Sequence, residues 1–98
     1  MTVVVLTRDL MDGSRFRAAR PDVVVVRSVT APELAGASLI LFDLALGIDP
    51  AEVVALGPPV VAYGAHVDRA ALDAAIAAGC VDAVPRSKVF RRAADFSP

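Results

Sequence analysis

Ser38-Leu39-Ile40-Leu41-Phe42-Asp43-Leu44-Ala45-Leu46 places one carboxylate inside an otherwise apolar run. Burying a carboxylate without a partner costs several kcal/mol. The run therefore predicts a strand over residues 39–42 with Asp43 at its mouth, facing a partner or water. In an open parallel α/β sheet, ligand and chemical sites lie outside the carboxyl ends of the strands. Asp43 is thus placed where such a fold puts its function. The competing reading is an Asp that caps the loop or helix that follows.

Working outward, four further runs resemble this one. Val3-Val4-Val5-Leu6, Val23-Val24-Val25-Val26 and Val60-Val61-Ala62-Tyr63 are continuous and apolar, and Val81-Asp82-Ala83-Val84 has the weakest pattern. Uninterrupted apolar runs of this length read as strands buried on both faces, the habit of parallel sheets. Helical segments separate them. Leu10 to Ala19 has apolar residues at 10, 11, 16 and 19 and is ended by Pro21. Arg69 to Ala78 is Ala-rich, with Asp68 as N-cap and Gly79 just past its end. Asp49-Pro50 opens a short helix that Gly57 stops, and Thr30 to Leu34 leaves room for about two turns. A last short helix is expected over Val89 to Phe96. Strand and helix alternate along the whole chain, which predicts a three-layer α/β sandwich. With right-handed crossovers its five parallel strands take the flavodoxin-like order 2-1-3-4-5. Asp43 then ends the third strand, at the point where the strand order reverses.

Composition narrows the classes of function. The 98 residues suffice for one core and are read as a single domain, 1–98. The formal net charge of −1 gives no electrostatic footprint for nucleic acid. Arg15, Arg17 and Arg20 form a small basic cluster, read as a solvated helix face. The single cysteine, Cys80, has no partner for a disulfide and follows Gly79 in an apolar stretch, so it is read as a core residue. No apolar run approaches the roughly 18 residues of a membrane-spanning helix, and no secretory signal precedes the first strand. A cytoplasmic location without membrane attachment is expected.

At this level of detail the chain resembles a bacterial response-regulator receiver domain. Leu41-Phe42-Asp43-Leu44 is similar to the strand that ends in the family's phosphoacceptor. Pro59-Val60-Val61-Ala62-Tyr63-Gly64-Ala65-His66 is similar to its fourth strand and following loop. Ala74-Ala75-Ile76-Ala77-Ala78-Gly79-Cys80-Val81-Asp82-Ala83-Val84 is similar to its last helix-to-strand passage. The likeness covers nearly the whole chain. The segments around the second and third helices and the last helix are shorter than in typical members.

The resemblance implies a specific chemistry. The family binds Mg²⁺ with an acidic pair after the first strand and accepts a phosphoryl group on the Asp after the third. A Thr or Ser after the fourth strand and a Lys after the fifth, usually followed by Pro, meet the phosphoryl oxygens. Phosphoryl transfer is catalysed by positioning and by neutralising spread negative charge, and Mg²⁺ demands near-octahedral oxygen ligands. Here Asp43 matches the acceptor. The first strand is followed by Thr7-Arg8-Asp9, leaving at most one acid, Asp9. Gly64 stands at the hydroxyl position, and Arg86 followed by Ser87 stands at the Lys position. Asp9 and Asp43 are the expected ligands of a weak Mg²⁺ site, if one exists. No other cofactor is expected. A guanidinium binds a carboxylate bidentately and stays charged, so Arg86 is expected to pair with Asp43, with Arg8 filling the metal's space.

His66 lies in the loop over this pocket. It is read either as a pH-sensing or ligand-contacting group or as a residue helping to cap the next helix, with the second preferred. Tyr63 is expected to pack under that loop. Asp12-Gly13-Ser14 is an anion-binding turn at most, since one glycine does not make a phosphate loop. These readings describe a stand-alone pseudo-receiver acting in signal transduction through protein–protein contact. Its partner would be a histidine kinase or a downstream effector, bound through the last sheet edge and its flanking helices. The alternative is a working receiver phosphorylated on Asp43 by a histidine kinase, at most a self-catalysed transfer. An enzyme or nucleotide-binding role lacks a Gly-rich loop, a nucleophile–base pair or a second acid.

Overall fold

The structure, a computed structural model, describes residues 2–95. Its strands are β1 (Val3–Leu6), β2 (Val24–Val26), β3 (Leu39–Asp43), β4 (Val60–Gly64) and β5 (Asp82–Pro85). All four pairings are parallel, and the order is β2-β1-β3-β4-β5. The helices are α1 (Leu10–Ala19), α2 (Pro50–Val54), α3 (Arg69–Ala77) and α4 (Arg86–Arg92), with 3-10 turns at Pro32–Leu34 and Leu44–Leu46. This is the flavodoxin-like architecture that the alternation of apolar runs predicts. No helix among the described residues is long and apolar enough to cross a membrane.

Side chains alternate across a strand, and the sheet's two faces build two cores. Val3, Val5, Leu39, Leu41, Val61, Tyr63 and Val84 pack with Phe16 of α1 and Val89 of α4. Val4, Leu6, Ile40, Phe42, Val60 and Ala62 pack with Leu34, Val53, Ala75 and Cys80 on the other side. The first core is closed by three rings. Phe16 lies 5.5 Å from Tyr63 and 4.8 Å from Phe90 between centroids, in edge-on and tilted geometries that suit ring quadrupoles. Arg20 adds a tie by donating to the carbonyl of Ala93 at 3.2 Å.

Several boundaries differ from those read off the sequence. β5 starts and ends one residue later than Val81–Val84, because Asp82 rather than Val81 stands level with Val61. The last helix begins at Arg86, three residues before Val89. Pro85 ends the strand in extended geometry and serves as the N-cap. The expected end at Phe96 lies outside the described residues. The Thr30–Leu34 segment tightens to a single 3-10 turn, and α2 stops at Val54. Asp49 and Asp68 do cap α2 and α3, accepting from the amides of Ala51 and Ala71. Gly79 follows α3 with φ +112°, and a Cβ there would stand 3.1 Å from Val54 Cγ1. A residue with a side chain is excluded twice over, by the backbone and by the neighbour.

Candidate functional site

Alternation along β1, β3 and β4 brings Thr7, Asp43 and Tyr63 to the same face of the sheet at its carboxyl edge. Asp43 stands level with Tyr63 in the register, and Leu6 with Phe42. The residue after Leu6, Thr7, therefore reaches Asp43, and its hydroxyl donates to Asp43 Oδ2 at 2.7 Å. The backbone amide of Ala45 donates to Asp43 Oδ1 at 2.9 Å. Asp43 is thus both a cap of the Leu44–Leu46 turn and a member of a buried polar cluster.

The helices over this face complete the cluster. Asp12 comes from the first turn of α1 and Arg86 from the first residue of α4. The guanidinium of Arg86 forks between two carboxylates, with Nη1 on Asp12 Oδ2 and Nη2 3.4 Å from Asp43 Oδ1. The two acids are almost fully enclosed, at 6% and 3% side-chain exposure, while Arg86 retains 33%. The Tyr63 hydroxyl donates to Asp12 Oδ2 at 3.1 Å. The Arg86 guanidinium lies 5.3 Å from the Tyr63 ring centroid, a distance at which a cation is attracted to the ring. Every member is satisfied, which is the condition under which a buried polar network rigidifies a fold.

Electrostatics follow from this enclosure. Burial works to lower the Arg86 pKa, but the hydrogen bond and charge of Asp12, with the charge of Asp43, outweigh it and leave the group above its ordinary value. Burial pushes the Tyr63 phenol up, with the Thr7 hydroxyl opposing and the Asp43 and Asp12 charges reinforcing. Burial likewise raises the Cys80 thiol. Both the phenol and the thiol are held protonated in the fold. Their stabilising contribution is complete below their unfolded pKa values and is lost as pH rises through the folded ones. The unfolding free energy is therefore expected to fall with pH above about 9–10, where unfolded Cys and Tyr ionise. Urea unfolding at stepped alkaline pH checks this. In Tyr63→Phe the slope above about pH 10 should flatten.

Several sequence-based placements change. The acid that joins Asp43 is Asp12, not Asp9. Asp9 is exposed and serves as the N-cap of α1, its Oδ1 accepting from the amides of Met11 and Asp12 at 2.9 and 3.0 Å. Arg8 does not fill the space beside Asp43 either. It points outward and its Nε donates to the carbonyl of Arg27 at 3.1 Å. Among the described residues the cation at the acids is Arg86. Tyr63 lies on the α1/α4 face rather than under the β4–α3 loop, because it shares the parity of Val61. His66 is exposed in that loop. Gly64 has the opposite parity and lines a separate cavity of about 180 Å³ with Leu44, Ala45, Ala65, Asp68, Ala71 and Arg86. A Cβ at Gly64 would stand 3.3 Å from Leu44 Cδ1 and 3.4 Å from its Cβ. A hydroxyl-bearing side chain there would press on Leu44, which would have to shift by a few tenths of an ångström to admit it.

The acids that meet at the sheet edge are occupied by a guanidinium. Among the described residues no three His, Cys, Asp or Glu side chains are grouped to hold a metal ion. Of the expected ligands, Asp9 turns an oxygen to the first amides of α1, and Asp43 accepts from Thr7, Ala45 and Arg86. The acids that do meet share a guanidinium, which takes the place of a cation. Thr7, Asp12 and Tyr63 were not singled out as members of one site. Counting back one helical turn from the buried Phe16 puts Asp12 on the inward face of α1, and period 2 from Val5 and Val61 does the same for Thr7 and Tyr63.

Comparison with known proteins agrees with this geometry. No protein-family model matches the chain, and no curated protein sequence matches it. Solved structures do. The CheY-like protein TadZ from Pseudomonas aeruginosa is 19% identical, with a TM-score of 0.68 over 100% of this chain and 96% of that one. A response regulator from Thermotoga maritima is 15% identical, with a TM-score of 0.65 over 97% of this chain and 98% of that one. The Mn²⁺-bound response regulator Rcp1 is 15% identical, with a TM-score of 0.70 over 96% and 89%. From strand order, switch-point acid and these likenesses together, the chain has the receiver-domain fold of CheY-like response regulators.

Proposed function

We propose that this chain is a pseudo-receiver, a signal-transduction module that keeps the receiver fold as a surface for another protein and withholds its acceptor carboxylate from phosphoryl transfer. The observation that carries this reading is the Arg86 fork between Asp12 and Asp43. A phosphoacceptor must present a free oxygen to its donor. Here one oxygen of Asp43 accepts from Thr7 and the other from Ala45 and Arg86. The Rcp1 structure holds Mn²⁺, whereas the paired acids of this chain share the positive charge of a side chain.

The surface offered to the partner is the β5 edge. Val81, just before it, and Ile76 on α3 are both exposed, and exposed apolar side chains near a strand edge suit a protein contact. The partner class is a histidine kinase or a downstream effector. A working phosphoacceptor is the second reading, favoured by Asp43 ending β3 and by the exposed third of Arg86.

The test is incubation with acetyl phosphate and Mg²⁺, followed by intact mass. No acyl phosphate is expected on Asp43, and Mg²⁺ titrated by NMR should show no saturation at submillimolar concentration. Stoichiometric phosphorylation that disappears in Asp43→Asn would overturn the pseudo-receiver reading and establish the second.

A further inference from the structure

A second cleft opens at the carboxyl edge, between β1, β2 and α1, on the far side of the switch point from Gly64. It measures about 100 Å³ and is lined by Thr7, Arg8, Asp9, Leu10, Gly13, Arg17, Val25 and Arg27. Three of these carry a positive charge in a chain whose net charge is −1. Among the described residues none of the three is in an ion pair. Arg8 spends one N–H on the carbonyl of Arg27. Arg17 lies back along α1, its Nη1 3.7 Å from where a Cβ on Gly13 would stand. Gly13 thus forms a packed wall of the cleft, between this guanidinium and Val25 Cγ1, 3.6 Å from the same point. The one acid present, Asp9, has an oxygen committed to the first amides of α1.

We propose that this cleft binds a phosphate monoester, with the phosphoryl group among Arg8, Arg17 and Arg27 and the organic body against Leu10. Guanidinium groups present planar, paired donors that match phosphoryl oxygens. The volume holds a few water molecules at about 30 Å³ each, which is the scale of one phosphoryl group. Leu10 is 77% exposed at the mouth and gives an apolar surface that inorganic phosphate would not use. The site is separate from Asp43, yet Thr7 belongs to both, lining the cleft and donating to Asp43. This inference does not depend on the pseudo-receiver reading.

Phenyl phosphate and inorganic phosphate are the probes, titrated at low salt into the full chain and followed by ¹H–¹⁵N NMR. Phenyl phosphate should saturate, with its largest shifts at Gly13, Arg17 and Arg27, and should bind more tightly than inorganic phosphate. Arg17→Gln and Arg27→Gln should each weaken it about tenfold, the scale of one charged hydrogen bond, with the unfolding midpoint unchanged. Co-sedimentation with phosphatidic acid vesicles distinguishes the source. Sedimentation displaced by phenyl phosphate marks a lipid headgroup, and binding of phenyl phosphate without sedimentation marks a free metabolite. Shifts spread over the surface, equal affinity for the two probes, insensitivity to both substitutions, or sedimentation that phenyl phosphate does not displace would each overturn the proposal.

Discussion

Arg86→Met should lower stability by about 3–5 kcal/mol, the range for removing one member of a buried ion pair. The size comes from what remains. Asp12 and Asp43 keep their enclosure, at 6% and 3% exposure, and lose the guanidinium that faces them both. Native domains of this size hold about 5–15 kcal/mol in total, so the variant should be strongly populated in its unfolded form at moderate urea. A double variant, Arg86→Met with Asp12→Asn, should recover part of the loss, because only one buried charge then lacks a partner. Urea unfolding at neutral pH measures both. A midpoint for Arg86→Met equal to that of the parent would show that the fork is a surface contact of no consequence. Asp43→Ala should cost less than Arg86→Met, because Asp12 continues to hold the guanidinium.

Phe16→Ala should also cost about 3–5 kcal/mol, the usual range for a buried phenylalanine. Phe16 is fully enclosed and touches both Tyr63 and Phe90. Its loss opens a cavity under Tyr63, whose hydroxyl is aimed at Asp12. The variant should therefore lose rigidity at the polar cluster as well as stability. Near-ultraviolet circular dichroism of the single tyrosine, read beside the urea midpoint, reports the two effects together. A destabilised variant with an unchanged tyrosine signal would separate the core from the cluster.

The fold was legible because its signal is redundant. Five apolar runs with helical spacers leave few topologies, and the right-handed crossover removes most of those. Boundaries were less legible where one residue plays two parts. Pro85 closes β5 and opens α4, so the helix starts earlier than its apolar positions suggest. The site was half legible. Asp43 and Arg86 follow from their strand ends. Asp12 was hidden because the helix over Leu10–Ala19 was legible but its inward face was not: Asp12 lies one turn before Phe16, where a carboxylate is not expected to face a core. Gly13 is tolerated inside α1, at a propensity cost of about 1 kcal/mol relative to Ala. Arg8 and Asp9 misled for the opposite reason. They are the charged residues nearest the strand end, but β1 hands over to α1 there and their side chains leave the sheet face.

The Arg86 fork also has a history within each folding event. It joins residues 74 and 43 positions apart in the chain. Contacts at such separation carry the largest loop-closure entropy, so the two carboxylates meet water, and each other, until the last strand docks. During synthesis the chain through β4 carries both acids before Arg86 has been made. The fork therefore acts on how fast the native state opens more than on how fast it forms. In a chevron, its loss belongs on the unfolding limb, where it shortens the lifetime of the folded domain.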